Sequence, residues 1–271
     1  MNPDYLLARI VRRFLPEKIT RFLLRRGWII KPGLETREPA AAAERYAQML
    51  ADHGETLTGK RVLVFGYGGR FAIGVELLRL GAAQVVMTDL FAPPDDRRND
   101  HLLPEFSEYL RREDGRVVPY GGALSLRHGD IRSMRFNLPE ESFDLVVSTS
   151  VYEHLDDVEG ITRALASLLK PGGSFIAFVD LRDHFFKYPF AMLTFRSGTW
   201  KRWLNPTSNL NRLRCRDYRR IMEPNFSTME WTVLERDLVK FISAKAKILP
   251  EFLTGDDEVD AITQISVFAR R

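Results

Sequence analysis

The chain has 271 residues, 45% of them apolar, which is enough for one large domain with a buried core. Its single cysteine, Cys215, excludes a disulfide framework or a cysteine-rich zinc site within the chain, so we expect a cytoplasmic protein. No apolar run suits a signal peptide or a membrane span. The net charge of +4 conceals two basic segments: residues 1–31 carry a balance of +6 and residues 182–220 carry +8.

The first basic segment predicts an amphipathic helix, followed by a second helical stretch around Ile19–Arg26. Apolar side chains fall on one side of the first helix, and Arg9, Arg12 and Arg13 fall on the other. Two interpretations stay open: the apolar side packs on the domain while the arginines face water, or residues 1–31 lie on an anionic membrane surface. We predict a helical N-terminal extension over residues 1–45 and the main domain over residues 46–271.

Within the main domain, short apolar runs alternate with helical patterns, which indicates an α/β fold with a mostly parallel sheet and helices on both faces. The expected strands are Arg61–Phe65, Gln84–Asp89, Leu124–His128, Asp144–Thr149, Ser174–Asp180, Met229–Leu234 and Ala261–Ala269. The expected helices are Arg70–Leu80, a short one near Pro104–Arg112, and Val158–Lys170.

A glycine-rich turn joins the first strand to the next helix. Gly66 and Gly68 allow a sharp bend and a close ligand approach, and the helix N-terminus offers free N–H groups. Phe71 stands where a nicotinamide-binding fingerprint has a third glycine, so the segment departs from that fingerprint. Asp89 ends the second strand, where a carboxylate can accept hydrogen bonds from ribose hydroxyls. A structural turn and a turn aspartate remain the alternatives.

Three later segments join these features in a recognisable order: His128–Ile131, Phe143–Asp157 and Leu168–Phe175. Together they resemble the class I S-adenosylmethionine-dependent methyltransferase family. The resemblance implies a seven-stranded Rossmann-like sheet whose last strand is antiparallel, with S-adenosylmethionine as the cofactor. It implies these cofactor contacts: Gly66, Tyr67 and Gly68 at the methionine part, Asp89 at the ribose, Asp130 at the adenine amino group, Leu90 and Ile131 at the adenine ring, and Ser148 and Thr149 under the sulfonium.

The chain departs from the family pattern at two positions. Val64 occupies the place of an acidic residue that helps to hold the cofactor's ammonium group, and Arg70 occupies the place of the third glycine. These departures keep open an alternative class, a cofactor-binding partner protein without turnover.

Methyl transfer to a hydroxyl group needs alignment, exclusion of water and removal of a proton. His184 and His154 follow the fifth and fourth strands at the ligand edge, and they are the candidate proton acceptors. A hydrogen-bonded structural role is the alternative for each. Glu153, His154, Asp156 and Asp157 could hold a divalent cation, but a solvated turn and a helix cap explain these acids, so we predict no metal.

The second basic segment, residues 182–220, is an aromatic insertion after the fifth strand. In enzymes of the resembling family, such insertions cover the acceptor, so we expect a substrate lid over a bulky, partly apolar acceptor. We therefore expect O-methylation of a small or lipid-linked molecule. An RNA or protein acceptor is the second interpretation, since basic aromatic segments also suit nucleic acid. The turn after the fourth strand, Ser148–Ser150, lacks the motif of base amino-methylation, which makes nucleic acid the weaker choice.

Overall fold

The computed structural model describes residues 3–14, 37–134, 138 and 140–271; the predicted stretch Ile19–Arg26 lies outside them. Seven strands form one sheet in the order β5-β2-β1-β6-β7-β9-β8, in which β9 runs antiparallel to both neighbours and the other pairings are parallel. The strands of this sheet are β1 Arg61–Phe65, β2 Gln84–Asp89, β5 Leu124–His128, β6 Phe143–Thr149, β7 Leu169–Asp180, β8 Thr228–Arg236 and β9 Ile262–Arg270. The predicted seven-stranded α/β fold is confirmed.

Helices cover both faces of the sheet. The longer ones are α1 Pro3–Phe14, α2 Pro39–Asp52, α3 Ala72–Arg79, α4 Val158–Leu168, α5 Cys215–Met222 and α6 Leu238–Lys245. On one face, Tyr46 of α2 and Val75 of α3 join the buried side chains of β1 and β2. On the other face, Leu165 of α4 and Tyr218 of α5 pack on β6 and β7. The strands read as unbroken apolar runs because both of their faces are buried.

Local signals set the ends of α4. The Asp157 carboxylate accepts a hydrogen bond from the Gly160 N–H at 2.8 Å and caps the first turn. The helix ends at Leu168, and Leu169 already has extended backbone geometry ahead of Pro171. The strand β7 therefore starts five residues earlier than the sequence predicts.

The helix predicted near Pro104–Arg112 is wrong. Residues Leu110–Glu113 form β3, which pairs antiparallel with β4, Arg116–Pro119. The two residues between these strands, Asp114 and Gly115, have φ of 47° and 76°. An Asp-Gly pair with both φ values positive makes the tight turn that suits a two-residue hairpin, and this turn signal outweighs the helical spacing.

The helix α1 contradicts the first of its two interpretations, in which the apolar side packs on the domain and the arginines face water. Arg9 and Arg12 are buried, with 0% and 3% of their surface exposed, while Leu7, Val11 and Phe14 are exposed. Side chains of α1 join the aromatic cluster of the insertion, in which Tyr5 lies with Phe195 and Trp200. Among the described residues, no helix has the length and apolar character needed to cross a membrane.

The predicted boundary at residue 45 falls inside α2. Ala42, Ala43, Tyr46 and Leu50 of this helix are fully buried against the main domain. The helix is continuous and belongs to the core on one face of the sheet, because its apolar stripe spans both sides of the proposed boundary. This part of the chain is therefore structurally inseparable from the sheet.

Candidate active site

The glycine-rich turn lies at the carboxyl edge of the sheet, between β1 and α3. Gly66, Gly68 and Gly69 have φ of 84°, 63° and 84°. A side chain at position 66 would overlap Val151, whereas position 68 faces open space. The backbone of the turn therefore comes close to the segment after β6, and it leaves room beside Gly68 for a ligand.

The carboxylate of Asp89 lies directly beside this turn. Its Oδ2 atom accepts a hydrogen bond from the Gly68 N–H at 3.1 Å, and Oδ1 accepts from the N–H groups of Phe91 and Ala92 at 2.8 Å each. The strands β1 and β2 are parallel neighbours, so their carboxyl ends meet here. The structure thus brings together two elements that the sequence identified 21 residues apart.

The next strand brings Asp130 to the same edge. Its carboxylate is bound by the Arg132 guanidinium, with Nε 3.0 Å from both oxygens, and this pairing holds the pKa of Asp130 below its usual range. Nearby, Leu90 is 41% exposed, while Ile131 is buried. Because β2 and β5 are parallel neighbours, Leu90 and Asp130 follow adjacent strand ends.

The residues under the expected sulfonium position lie at the end of β6. The Thr149 hydroxyl is 2.6 Å from the Tyr46 hydroxyl of α2, and the Ser148 hydroxyl is buried without a hydrogen-bonding partner among the described residues. Tyr67 donates to the Ala92 carbonyl at 3.1 Å. Val64 is an apolar residue buried in the core. The chain therefore has no carboxylate at position 64, and the cofactor's ammonium group needs another partner.

Three polar side chains converge after β6 and β7: Glu153, His154 and His184. One potential ligand atom from each lies within 4.8 Å of the other two. Glu153 is 3% exposed and His184 is 8% exposed. Burial raises the pKa of Glu153 well above its usual value and lowers the pKa of both histidines, that of His184 far below its usual value.

The sequence predicts that the acidic residues after β6 form a solvated turn and a helix cap. The structure confirms the cap and contradicts the solvated position of Glu153. Asp157 does cap α4, and it also binds Arg132 at 2.9 Å. Glu153 is wrongly assigned to solvent, because the insertion covers it. The Asn211 N–H donates to the Glu153 carbonyl at 2.9 Å, and the Asn211 side-chain amide donates to the Tyr152 carbonyl at 2.7 Å.

Sequence reasoning missed the residues that hold the insertion to this site. The His154 Nδ1 atom lies 2.8 Å from the Asn209 carbonyl oxygen, and the Asn209 side-chain amide donates to the His154 carbonyl at 2.9 Å. Asp183, next to His184, forms a buried ion pair with Arg9 and accepts a hydrogen bond from the Tyr5 hydroxyl at 2.5 Å. Asparagines at 205, 209 and 211 were the visible signal, since asparagine favours backbone-binding turns.

Arg12 of α1 is a further residue near His154 and His184 that the sequence did not reveal. Its Nε and Nη1 atoms are buried without a hydrogen-bonding partner in the described part of the chain. Burial, together with the nearby charge of Arg9, lowers the pKa of Arg12 to about 10. Its positive charge also contributes to the lowered pKa of both histidines. The N-terminal helix thus supplies part of the electrostatic environment of His154 and His184.

Residues 66–177 match the family model described as "Methyltransferase domain". The chain therefore contains a segment similar to methyltransferase domains, in agreement with the resemblance predicted from the sequence. The match begins at Gly66 of the turn and ends within β7, so it contains Asp89, Asp130 and the segment with Glu153 and His154.

Among curated proteins, the chain is 30% identical over 142 residues to the ubiquinone biosynthesis O-methyltransferase of Stutzerimonas stutzeri, which covers 52% of this chain and 53% of the relative. It is 34% identical over 77 residues to a sterol 24-C-methyltransferase of Aspergillus fumigatus, 28% of this chain and 19% of the relative. The chain spans about half the length of the first of these relatives and less of the second.

Solved structures share the fold at low sequence identity. A methyltransferase of Archaeoglobus fulgidus gives a TM-score of 0.53 at 13% identity, over 92% of this chain and 99% of that one. A geranyl diphosphate methyltransferase in complex with S-adenosylmethionine gives 0.52 at 14% identity, over 86% and 85%. These matches extend the shared fold beyond residue 177 to most of the chain.

Proposed function

We propose that the protein is an S-adenosylmethionine-dependent methyltransferase that acts on a hydroxyl group of a small or lipid-linked, partly apolar acceptor. The observation that carries the proposal is the hydrogen bond between the Gly68 N–H and the Asp89 carboxylate, which joins the glycine turn to the ribose-binding position. Asp130 lies at the next strand end, and the names of the relatives and of the structural neighbour with bound S-adenosylmethionine support the same cofactor.

In the proposed reaction the acceptor oxygen forms a bond to the methyl carbon as the carbon–sulfur bond breaks. The bonding pair goes to sulfur, which leaves the neutral thioether S-adenosylhomocysteine. The chain's tasks are to align the two reactants, to exclude water and to let the hydroxyl proton leave. Glu153, His154 and His184 are the polar groups we assign to the acceptor side, because they follow β6 and β7, which lie on the side of β1 away from β2, at the cofactor edge.

The proposed lid role of residues 182–220 is supported by their contacts with this turn. Asn209 and Asn211 bind the backbone of residues 152–155 on the acceptor side. Tyr5, the insertion and α6 line a largely apolar, open pocket of about 400 Å³, with Lys187, Lys240 and Lys247 among its lining residues. An apolar cavity with cationic groups suits an amphipathic molecule with an acidic group.

Peripheral membrane contact through α1 is part of the proposal for a lipid-linked acceptor. Leu7, Val11 and Phe14 are 66%, 50% and 61% exposed along one side of this helix, and Val239 of α6 is 83% exposed. Both helices contribute to the lysine-containing cavity, so cationic and apolar groups lie together, as anionic bilayers favour. Sedimentation with vesicles of anionic phospholipid tests this, with a Leu7→Asp/Val11→Asp double variant as the expected non-binder.

Contact with nucleic acid loses support from the burial of basic residues. Arg9, Arg12, Arg212 and Arg214 all lie inside the protein, and Arg214 donates to the carbonyl of Leu181 at 2.8 Å. These four described arginines, two from each basic segment, therefore stabilise the fold and are withheld from a phosphate backbone.

The test is methyl transfer from labelled S-adenosylmethionine to fractionated lipid extract and to a set of amphipathic phenols and alcohols. We expect a product heavier by one methylene, with the new methyl group on oxygen. Calorimetry with S-adenosylhomocysteine measures cofactor binding separately. Binding without transfer to any fraction would favour the non-enzymatic partner class, and absence of both would refute the proposal.

A further inference from the structure

The side chains of Glu153, His154 and His184 form an arrangement that the methyl-transfer chemistry alone leaves unexplained. Each offers one potential ligand atom, and these atoms lie within 4.8 Å of one another. Ligands around one zinc ion, at bond lengths of about 2.0–2.2 Å, are separated by about 3–4 Å. Small side-chain rotations would therefore bring all three to a common centre.

The unsatisfied polar atoms of this cluster point to a missing partner. The Nδ1 atom of His184 is buried without a hydrogen-bonding partner among the residues that the structure describes, and no side chain of those residues forms a hydrogen bond with either oxygen of the buried Glu153 carboxylate. Glu153 and His184 are 3% and 8% exposed, respectively. Leaving a buried polar atom unpaired costs stability, so such atoms in a native protein call for a ligand.

The backbone of the insertion prepares His154 for the same task. Its Nδ1 atom faces the Asn209 carbonyl oxygen at 2.8 Å, and a carbonyl can only accept, so Nδ1 carries the proton and donates. The lone pair of His154 is then on Nε2. A ligating imidazole usually has its second nitrogen fixed in this manner by a carbonyl or carboxylate.

We propose that Glu153, His154 and His184 bind a divalent cation at the acceptor side of the site, and that the donor set is suited to Zn²⁺. Two imidazoles and one carboxylate are the protein ligands of a well-known kind of catalytic zinc site, in which a fourth position stays open for water or substrate. Mn²⁺ and Fe²⁺ bind the same donor atoms as Zn²⁺, so the identity of the bound ion is to be measured.

A cation in this place would give the acceptor hydroxyl a fixed position and a lower pKa, and the released proton would pass to solvent. This role rests on the proposed function, whereas the binding of the ion does not. The two histidines would then act as ligands, and neither would need to serve as the proton acceptor.

The test uses the full chain after removal of metal with a chelator. Equilibrium dialysis with Zn²⁺ alone, followed by elemental analysis, should give one tight site per chain. Outer-shell partners of metal sites already contribute about 10- to 100-fold in affinity, so His184→Ala and Glu153→Gln, which remove a ligand, should each weaken binding by about 100-fold or more. The control is His101→Ala, which changes an exposed histidine in the short 3-10 helix Asp100–Leu102 and should leave binding unchanged.

Cobalt substitution makes the test independent of the variants' stability. Co²⁺ added to the wild-type chain should give visible absorption bands that Zn²⁺ displaces. Absence of bands and of Zn²⁺ binding, or equal binding by wild type and a folded His184→Ala variant, would overturn the proposal. S-adenosylhomocysteine calorimetry on the same metal-free samples tests the proposed function separately, because the Asp89 side of the site contains none of the three ligands.

Discussion

Asp89 provides the most direct measure of the proposed cofactor site. A carboxylate has about four acceptor positions, and backbone N–H groups of Gly68, Phe91 and Ala92 occupy three of them. The remaining position, on Oδ2, can accept one hydrogen bond from a ribose hydroxyl. A hydrogen bond to a charged group contributes about 1.5–3 kcal/mol, so Asp89→Ala should weaken binding of S-adenosylhomocysteine by about 10- to 150-fold.

The assay is isothermal calorimetry with S-adenosylhomocysteine, paired with thermal unfolding of each variant. Asp52→Ala is the matched control, because that carboxylate lies on the surface of α2 and accepts a hydrogen bond from the neighbouring Gln48 side chain. Asp89→Asn should fall between wild type and Asp89→Ala, since an amide oxygen can still accept from Phe91 and Ala92. Wild-type affinity in a folded Asp89→Ala protein would refute the ribose assignment.

Three further changes test other parts of the structure. Gly66→Ala should lower the unfolding temperature more than Gly68→Ala, because both positions have positive φ but only the first would overlap Val151; equal shifts would contradict the packing. Asp183→Asn should lower the free energy of unfolding, measured with urea, by about 3–5 kcal/mol, because the substitution leaves Arg9 buried without its counter-charge. A decrease of less than about 1 kcal/mol would contradict this role of the ion pair. In metal-free protein, Glu153→Gln should increase stability above pH 5. The raised pKa of Glu153 means that the folded state holds its proton more tightly, so wild-type stability falls as pH rises from 4.5 towards the folded pKa; parallel pH profiles of wild type and variant would disprove this.

The proximity of the glycine turn and Asp89 could be predicted because it depends on local signals. Gly66 and Gly68 follow an apolar strand, and Asp89 ends the next strand, so sheet order alone brings them together. The same logic placed His154 and His184 at adjacent strand ends, and their ring centres are 5.0 Å apart. Parallel strands are the reason, since all their carboxyl ends meet at one edge.

The acceptor half depends on contacts between distant segments, which no local pattern reveals. Arg9 pairs with Asp183 across 174 positions. An amphipathic pattern indicates that a helix has an apolar side and a polar side, but it does not reveal which side packs on the protein. In α1 the basic side is the buried one. The helix predicted near Pro104–Arg112 failed for a different reason, because helical spacing was preferred over an Asp-Gly turn.

The buried charges of the acceptor half have a physical consequence for specificity. Burying an unpaired polar group lowers the stability of the folded state. Apolar residues at the positions of Glu153, Arg12 and His184 would therefore make the folded state more stable. Buried polar groups of this kind persist where a ligand compensates for them, and here Glu153 and His184 follow β6 and β7 while Arg12 lies on α1. Cofactor affinity should consequently be insensitive to changes in α1, whereas the choice of acceptor should depend on it. Arg12→Met, which keeps the length of the side chain and removes its charge, separates these two properties when cofactor affinity and transfer are measured on one sample.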